Sequence, residues 1–103
     1  MSIVIRPQAR DELAALLAGI RSANARAADD VQDAVQHTLE LLESQPLSGS
    51  RLRVRGVRIT GLRFATVSLH PQFLVLYLPT ADGIDVLHVV RVKRNLSQVL
   101  ADD

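Results

Sequence analysis

Basic side chains in the second half of this sequence are its strongest candidates for binding chemistry. Five arginines fall between positions 51 and 63, and three more basic residues lie between positions 91 and 94. Guanidinium groups bind phosphate and carboxylate oxygens in bidentate pairs, so such a cluster is typical of a surface that binds an anionic partner. A polar strand face that contacts only solvent would show the same pattern. The predicted basic face consists of Arg51, Arg53, Arg55, Arg58, Arg63, Arg91, Lys93 and Arg94.

Residue types used for catalysis are few and scattered. His37, His70 and His88 fall in separate predicted elements, and their spacing does not predict a metal site. No P-loop, dinucleotide-binding or serine-hydrolase motif occurs, and the sequence has no cysteine. His88 is predicted to be a core or interface histidine with hydrogen-bonded ring nitrogens, and Tyr77 a core or rim residue. The sequence therefore contains no motif that predicts a catalytic residue, a metal or a cofactor.

The charge is divided unevenly along the chain, although the formal net charge is only +1. Residues 1–50 carry four arginines and seven acids, whereas residues 51–103 carry eight bases and four acids, Asp102 and Asp103 included. This division indicates a basic surface for an anionic partner, either nucleic acid or an acidic protein segment. Two phenylalanines and one tyrosine are too few for a platform that stacks single-stranded bases.

The length of 103 residues predicts a single domain over residues 1–103. With 48% hydrophobic residues, the chain has enough apolar side chains for a folded core. No apolar run reaches the roughly 20 residues that span a bilayer, and the first residues do not match a signal peptide. We therefore expect a cytoplasmic protein that does not bind a membrane.

Two helices are predicted in the first half of the chain. Leu13, Leu16, Leu17 and Ile20 share one helical face after Pro7, which suits a first helical turn. A second amphipathic helix is predicted over residues 25–44, where apolar side chains recur at helical spacing. The break at residues 22–24 joins the two helices into a hairpin.

Extended structure is predicted elsewhere. Residues 2–6 are typical of an edge strand, and residues 51–57 alternate between arginine and apolar side chains. Residues 62–69, 73–78 and 84–92 are strand candidates, joined by predicted turns at residues 70–72 and 80–83. Residues 73–78 are apolar on both faces and therefore predicted to lie centrally. A short last helix follows Asn95, giving an α+β fold of order β-α-α-β-β-β-α, with an antiparallel sheet of about four strands packed against the helical hairpin.

Five segments carry a resemblance to the RelE/ParE superfamily of type II toxin–antitoxin toxins. They are R-P-Q-A-R-D-E-L at 6–13, Q-P-L-S-G at 45–49, G-L-R at 61–63, H-P-Q-F-L-V-L-Y at 70–77 and V-V-R-V-K-R-N-L at 89–96. Together they extend over nearly the whole chain in the order typical of the superfamily. The resemblance implies the same α+β toxin domain, with Arg63 as the arginine of the superfamily's Gly-x-Arg motif.

The superfamily contains two functional classes. RelE-like members are ribosome-dependent endoribonucleases that cleave mRNA with basic residues and a tyrosine about one and a half helical turns after a Lys-Arg pair. ParE-like members inhibit DNA gyrase without that catalytic set. Here Lys93 and Arg94 are followed by Leu96, Val99 and Leu100, with no tyrosine in that place. The resemblance therefore favours the ParE-like class, with no catalytic residue.

Two alternatives stay open. A RelE-like ribonuclease with an incomplete set would handle phosphate with Arg53, Arg55, Arg63 and Arg94, and a non-toxic homologue would do neither. Either toxin class implies a cognate antitoxin, which binds DNA through its N-terminal part and is normally encoded beside the toxin. We expect this antitoxin to cover the toxin with an acidic, partly helical C-terminal tail in a hetero-oligomer. The basic face would then contact gyrase, ribosome-bound mRNA or the antitoxin.

Overall fold

The computed structural model describes residues 1–101 and shows an α+β fold, as predicted. Asp102 and Asp103, which contribute to the charge balance above, lie outside the described residues. The elements in chain order are β1 (Ser2–Ile5), α1 (Pro7–Ala23), α2 (Ala25–Ser44), β2 (Ser50–Arg51), β3 (Arg63–Val67), β4 (His70–Thr80), β5 (Gly83–Arg91) and α3 (Leu96–Val99).

The predicted helical hairpin is confirmed, and Asn24 forms its corner. Asn24 has extended backbone angles, so it ends α1, and its side chain accepts a hydrogen bond from the Ala27 N–H at 3.1 Å. An N-cap of this kind satisfies one of the otherwise unpaired donors at the start of α2. Both helices pack on one face of the sheet, and the layer between them is the first core. Its buried residues include Val31, Val35, Leu39 and Leu42 of α2.

The sheet has five strands in the order β1-β5-β4-β3-β2. β4 lies at the centre, as its apolar faces predicted. The prediction of an antiparallel sheet of about four strands was wrong in one respect, because β1 pairs in parallel with β5 and the sheet is mixed. A strand of four residues carries no pattern that indicates its direction. The helical hairpin connects β1 to β2 at the opposite edge of the sheet, so β1 pairs with β5, the last strand of the chain, and not with the strand that follows it.

The alternation over residues 51–57 predicts an extended segment, but in this region only Ser50 and Arg51 pair as a strand. Residues 52–62 instead cross the sheet face opposite the helices. Their apolar side chains enter a second core together with those of α3, while the intervening arginines are exposed. The alternation thus reflects burial against the sheet rather than strand pairing. The second-core side chains of this segment are Leu52, Val54, Val57, Ile59 and Leu62.

The turn predicted at residues 70–72 was also misplaced. The β3–β4 hairpin turns at Ser68 and Leu69, and β4 begins at His70, which pairs with Val67. Pro71 follows, at a shift in the register between β3 and β4. Proline lacks an N–H donor, so it is tolerated in a strand at such irregular positions.

Candidate functional site

Arg63 and Tyr77 are cross-strand neighbours on β3 and β4, and both bind the loop between α2 and β2. The Tyr77 hydroxyl donates to the Pro46 carbonyl at 2.7 Å and accepts from the Gly49 N–H at 2.9 Å. The Arg63 guanidinium donates to the carbonyls of Gly49 at 2.7 Å and Leu47 at 3.2 Å. We call these contacts the loop clasp. They fix the position at which β2 begins.

Glycine is the one residue type that fits at position 49 of the loop clasp. A Cβ atom at this position would overlap the Tyr77 hydroxyl and lie 2.8 Å from the Phe64 carbonyl oxygen. Tyr77 is fully buried and so has no room to withdraw. A side chain at Gly49 would therefore separate the loop from the sheet.

The loop clasp also predicts how Tyr77 titrates. Burial raises the pKa of Tyr77 above 10.0, and the Gly49 N–H bond and the Arg63 charge lower it by less. The folded chain then keeps the phenol proton at a pH where the unfolded chain loses it, so the free energy of unfolding decreases as pH rises above 10.0.

Tyrosinate absorbance measures this directly, since Tyr77 is the only tyrosine and the sequence has no tryptophan. In the native protein the absorbance should rise at a higher pH than in urea-unfolded protein. Coincident titration curves would contradict the buried, hydrogen-bonded phenol.

Two of the predicted basic residues, Arg51 and Arg53, line a cleft of about 550 Å³ together with the half-buried Arg63. Both side chains are exposed, and neither forms an ion pair or side-chain hydrogen bond within residues 1–101. We call this the arginine cleft. Its apolar lining consists of Leu47, Leu52, Ile59, Leu62 and Pro79.

Arg91 and Arg94 lie in a different place, on a cleft of about 350 Å³ between α1 and β5. The Arg91 guanidinium lies over the Phe73 ring, 5.1 Å from its centroid. Arg91 pairs with Phe73 and Arg63 with Tyr77, which places the two arginines about 13 Å apart along the strand direction. The predicted basic face is therefore divided into two groups.

The remaining basic residues are exposed and border these groups. Arg58 lines a smaller cleft beside Arg53, and Lys93 is exposed in the segment between β5 and α3. The Arg55 carbonyl accepts a hydrogen bond from the Ser97 hydroxyl at 3.2 Å, which ties residues 52–62 to α3. Arg63 differs from all the others, because its guanidinium binds backbone carbonyls of its own chain.

Sequence reasoning missed a polar contact at the edge of β5. β1 ends at Ile5, and beyond it the Glu12 carboxylate of α1 accepts the Val89 N–H at 3.2 Å. His88 is buried, as predicted, and its Nδ1 lies 3.0 Å from each carboxylate oxygen of Glu12. An acid in the first turns of a helix suggests only the helix dipole, so local sequence gives no signal for a partner on β5.

The histidines do not converge. His37 is exposed on α2, His70 begins β4, and only His88 is buried. Among residues 1–101, no three side chains of the metal-binding types come together. In the same part of the chain, no helix is long and apolar enough to cross a membrane.

Comparisons with known proteins agree with this architecture. Residues 3–96 match the family model described as ParE toxin of type II toxin-antitoxin system, parDE. A chain in the solved structure of the chromosomal ParDE TA system from P. aeruginosa superposes with a TM-score of 0.70 at 18% identity, covering 90% of this chain and 97% of that one. No curated protein matches the sequence. Because the family match extends over most of the chain, the protein belongs to the ParE toxin family of type II toxin–antitoxin systems.

Proposed function

We propose that this protein is a toxin that inhibits DNA gyrase and is neutralised by a cognate antitoxin. In this proposal residues 1–103 form one toxin domain that acts in the cytoplasm, where its target lies. Membership of the ParE toxin family supports the class of protein. The observation that carries the choice of target is the burial of Tyr77, the sole tyrosine of the sequence, inside the loop clasp.

A RelE-like ribonuclease needs a group that transfers protons at its active site. The Tyr77 hydroxyl is buried and already bonded to Pro46 and Gly49. Where the RelE pattern has its tyrosine, this chain has Val99 and Leu100, which pack in the second core. Neither candidate position offers an accessible phenol, which favours gyrase inhibition over mRNA cleavage.

The placement of the arginines supports the same choice. Of the four that a ribonuclease would use, Arg53 and Arg63 share the arginine cleft, whereas Arg94 lines the cleft between α1 and β5. Arg63 is also held by two backbone carbonyls. A scissile phosphate needs its cationic groups around one point, and this arrangement divides them.

Expression in cells tests the target. The proposal predicts growth arrest with relaxation of a reporter plasmid, because gyrase introduces negative supercoils. Cellular mRNA should stay intact on translating ribosomes. Cleaved mRNA with unchanged plasmid topology would replace gyrase with the ribosome, and normal growth at full expression would indicate a non-toxic homologue.

The arginine cleft has the chemistry to bind an acidic antitoxin tail. Exposed Arg51 and Arg53 border an apolar floor, so an acidic segment with one apolar side chain would complement both charge and surface. The antitoxin is expected to occupy this cleft when it neutralises the toxin.

Charge reversal tests this assignment. Arg53→Glu should weaken binding of the protein encoded beside the toxin by about tenfold or more, with a smaller salt dependence. Arg26→Glu is the matched control, because Arg26 is an exposed arginine on α2 that does not line this cleft. Titration calorimetry at two salt concentrations measures both. Equal losses for the two variants, or a basic antitoxin tail, would contradict the assignment.

A further inference from the structure

Leu69 occupies an unfavourable position at the tip of the β3–β4 hairpin. Its φ is +65°, and it is the one non-glycine residue with positive φ in residues 1–101. A left-handed backbone brings Cβ close to the following carbonyl, so glycine or asparagine normally fills such turn positions. The Leu69 residue is also 91% exposed. This leucine therefore carries a backbone cost and an exposed apolar surface together.

The Leu69 side chain makes no visible contribution to the stability of the fold. The hairpin is attached to α2 by a hydrogen bond in which the Ser68 N–H donates to the Thr38 hydroxyl at 2.9 Å. Val67 and His70 close the turn by pairing across it. Leu69 belongs to neither core. The backbone conformation of Leu69 destabilises the free protein, and its side chain adds nothing to the packing. Such a residue is a candidate for contact with another molecule.

The surroundings of Leu69 are acidic. A cleft of about 520 Å³ between the hairpin tip and α2 is lined by Asp30 and Asp33, with His37 and His70 beside them. Neither aspartate forms an ion pair within residues 1–101. Arg91 lies over Phe73 and lines a separate cleft that Asp30 and His70 also border, and it forms no ion pair with Asp30. A complementary surface would have an apolar pocket for a leucine, bordered by lysine or arginine.

We propose that the Leu69 tip is the contact through which this toxin docks on a basic surface of DNA gyrase. The inference rests on the proposed function, and it adds the side of the toxin that meets the target. Enzymes that bind DNA carry basic surfaces, which would complement Asp30 and Asp33. β3 extends about 13 Å from Arg63, which lines the arginine cleft, to Val67, and the Leu69 tip lies beyond Val67. The target and the antitoxin would therefore contact opposite ends of this strand.

The test uses full-length variants, the gyrase holoenzyme and the protein encoded beside the toxin. Leu69→Asn suits the left-handed backbone and removes the apolar side chain. It should raise the thermal unfolding midpoint and leave antitoxin affinity unchanged, yet increase the concentration needed to inhibit supercoiling by about tenfold or more. Leu69→Met should keep inhibition, and Asp33→Lys should weaken it. Leu41→Asn is the matched control, since Leu41 is an exposed leucine on regular α2 helix.

The outcomes separate the two proposals. If the wild-type toxin does not inhibit gyrase, the proposed function fails and this contact with it. If the wild type inhibits gyrase and Leu69→Asn does so equally well, only the contact is overturned. Equal losses in Leu69→Asn and Leu41→Asn would also overturn it. Concentration-dependent self-association that Leu69→Asn removes, with inhibition intact, would assign the tip to a second copy of the chain instead.

Discussion

Replacing Gly83 with alanine is expected to lower the free energy of unfolding by about 4 kcal/mol. Gly83 is buried at the start of β5 and pairs with Ser2 of β1. A Cβ atom there would overlap the Ser2 carbonyl oxygen and lie within 3 Å of the Ser2 carbonyl carbon and nitrogen. Backbone atoms of a paired strand cannot move aside as a flexible side chain can. Alanine must therefore push β1 from the sheet and expose Ile3 and Ile5, which pack against the first core.

Urea unfolding measures the effect, and Gly19→Ala is its matched control. Gly19 is an exposed glycine within α1, and a Cβ atom there would meet no atom within 4 Å. Alanine at this helical position should stabilise the protein by up to about 1 kcal/mol. An unchanged urea midpoint for Gly83→Ala would show that β1 does not lie against β5 as described.

Gly49→Ala is expected to cost about 3 kcal/mol, because it breaks the loop clasp. The added methyl group would overlap the Tyr77 hydroxyl and crowd the Phe64 carbonyl. Separating the loop from the sheet leaves the Gly49 N–H and the Pro46 carbonyl without their partner, and the Arg63 guanidinium without its two acceptors. The lost hydrogen bonds, two of which involve the hydroxyl of the buried Tyr77, account for most of the loss.

A double-mutant cycle with Tyr77→Phe tests this cause. Tyr77→Phe removes the hydroxyl with which the methyl group collides, so Gly49→Ala should cost less in that background than in the wild type. Denaturant unfolding of the four proteins gives the coupling energy. Additive losses would show that the contacts with the Phe64 carbonyl oxygen and the Tyr77 ring carbon Cε1, and not the hydroxyl of the clasp, determine the cost.

The helical half of the fold could be predicted because its signals are local. Apolar side chains at helical spacing and the break before Ala25 identify α1 and α2, and the structure places the corner at Asn24. The direction of β1 could not be predicted, since parallel pairing depends on a partner some 80 positions away. The alternation over residues 51–57 did not distinguish a strand from a loop for a related reason. A period of two indicates one buried and one exposed face, and a loop that packs across a sheet also has these two faces.

The site shows a similar division between local and distant signals. The segments at residues 45–49, 61–63 and 70–77 carry the family resemblance, and three of their residues, Gly49, Arg63 and Tyr77, meet in the loop clasp. These segments of the family resemblance therefore reflect residues that maintain the fold more than residues that contact the target. The separation of Arg51 and Arg53 from Arg91 and Arg94 depends on strand register, and the strain at Leu69 depends on turn geometry. Neither leaves a pattern in the linear sequence.

Supercoiling of relaxed plasmid by purified gyrase tests the central claim most directly. The assay contains the purified toxin, alone and then with the protein encoded beside it. The proposed function predicts that the toxin abolishes supercoiling and that its neighbour restores it. The Tyr77 titration shows whether the purified toxin is folded. Unchanged supercoiling in the presence of excess folded toxin would contradict gyrase inhibition.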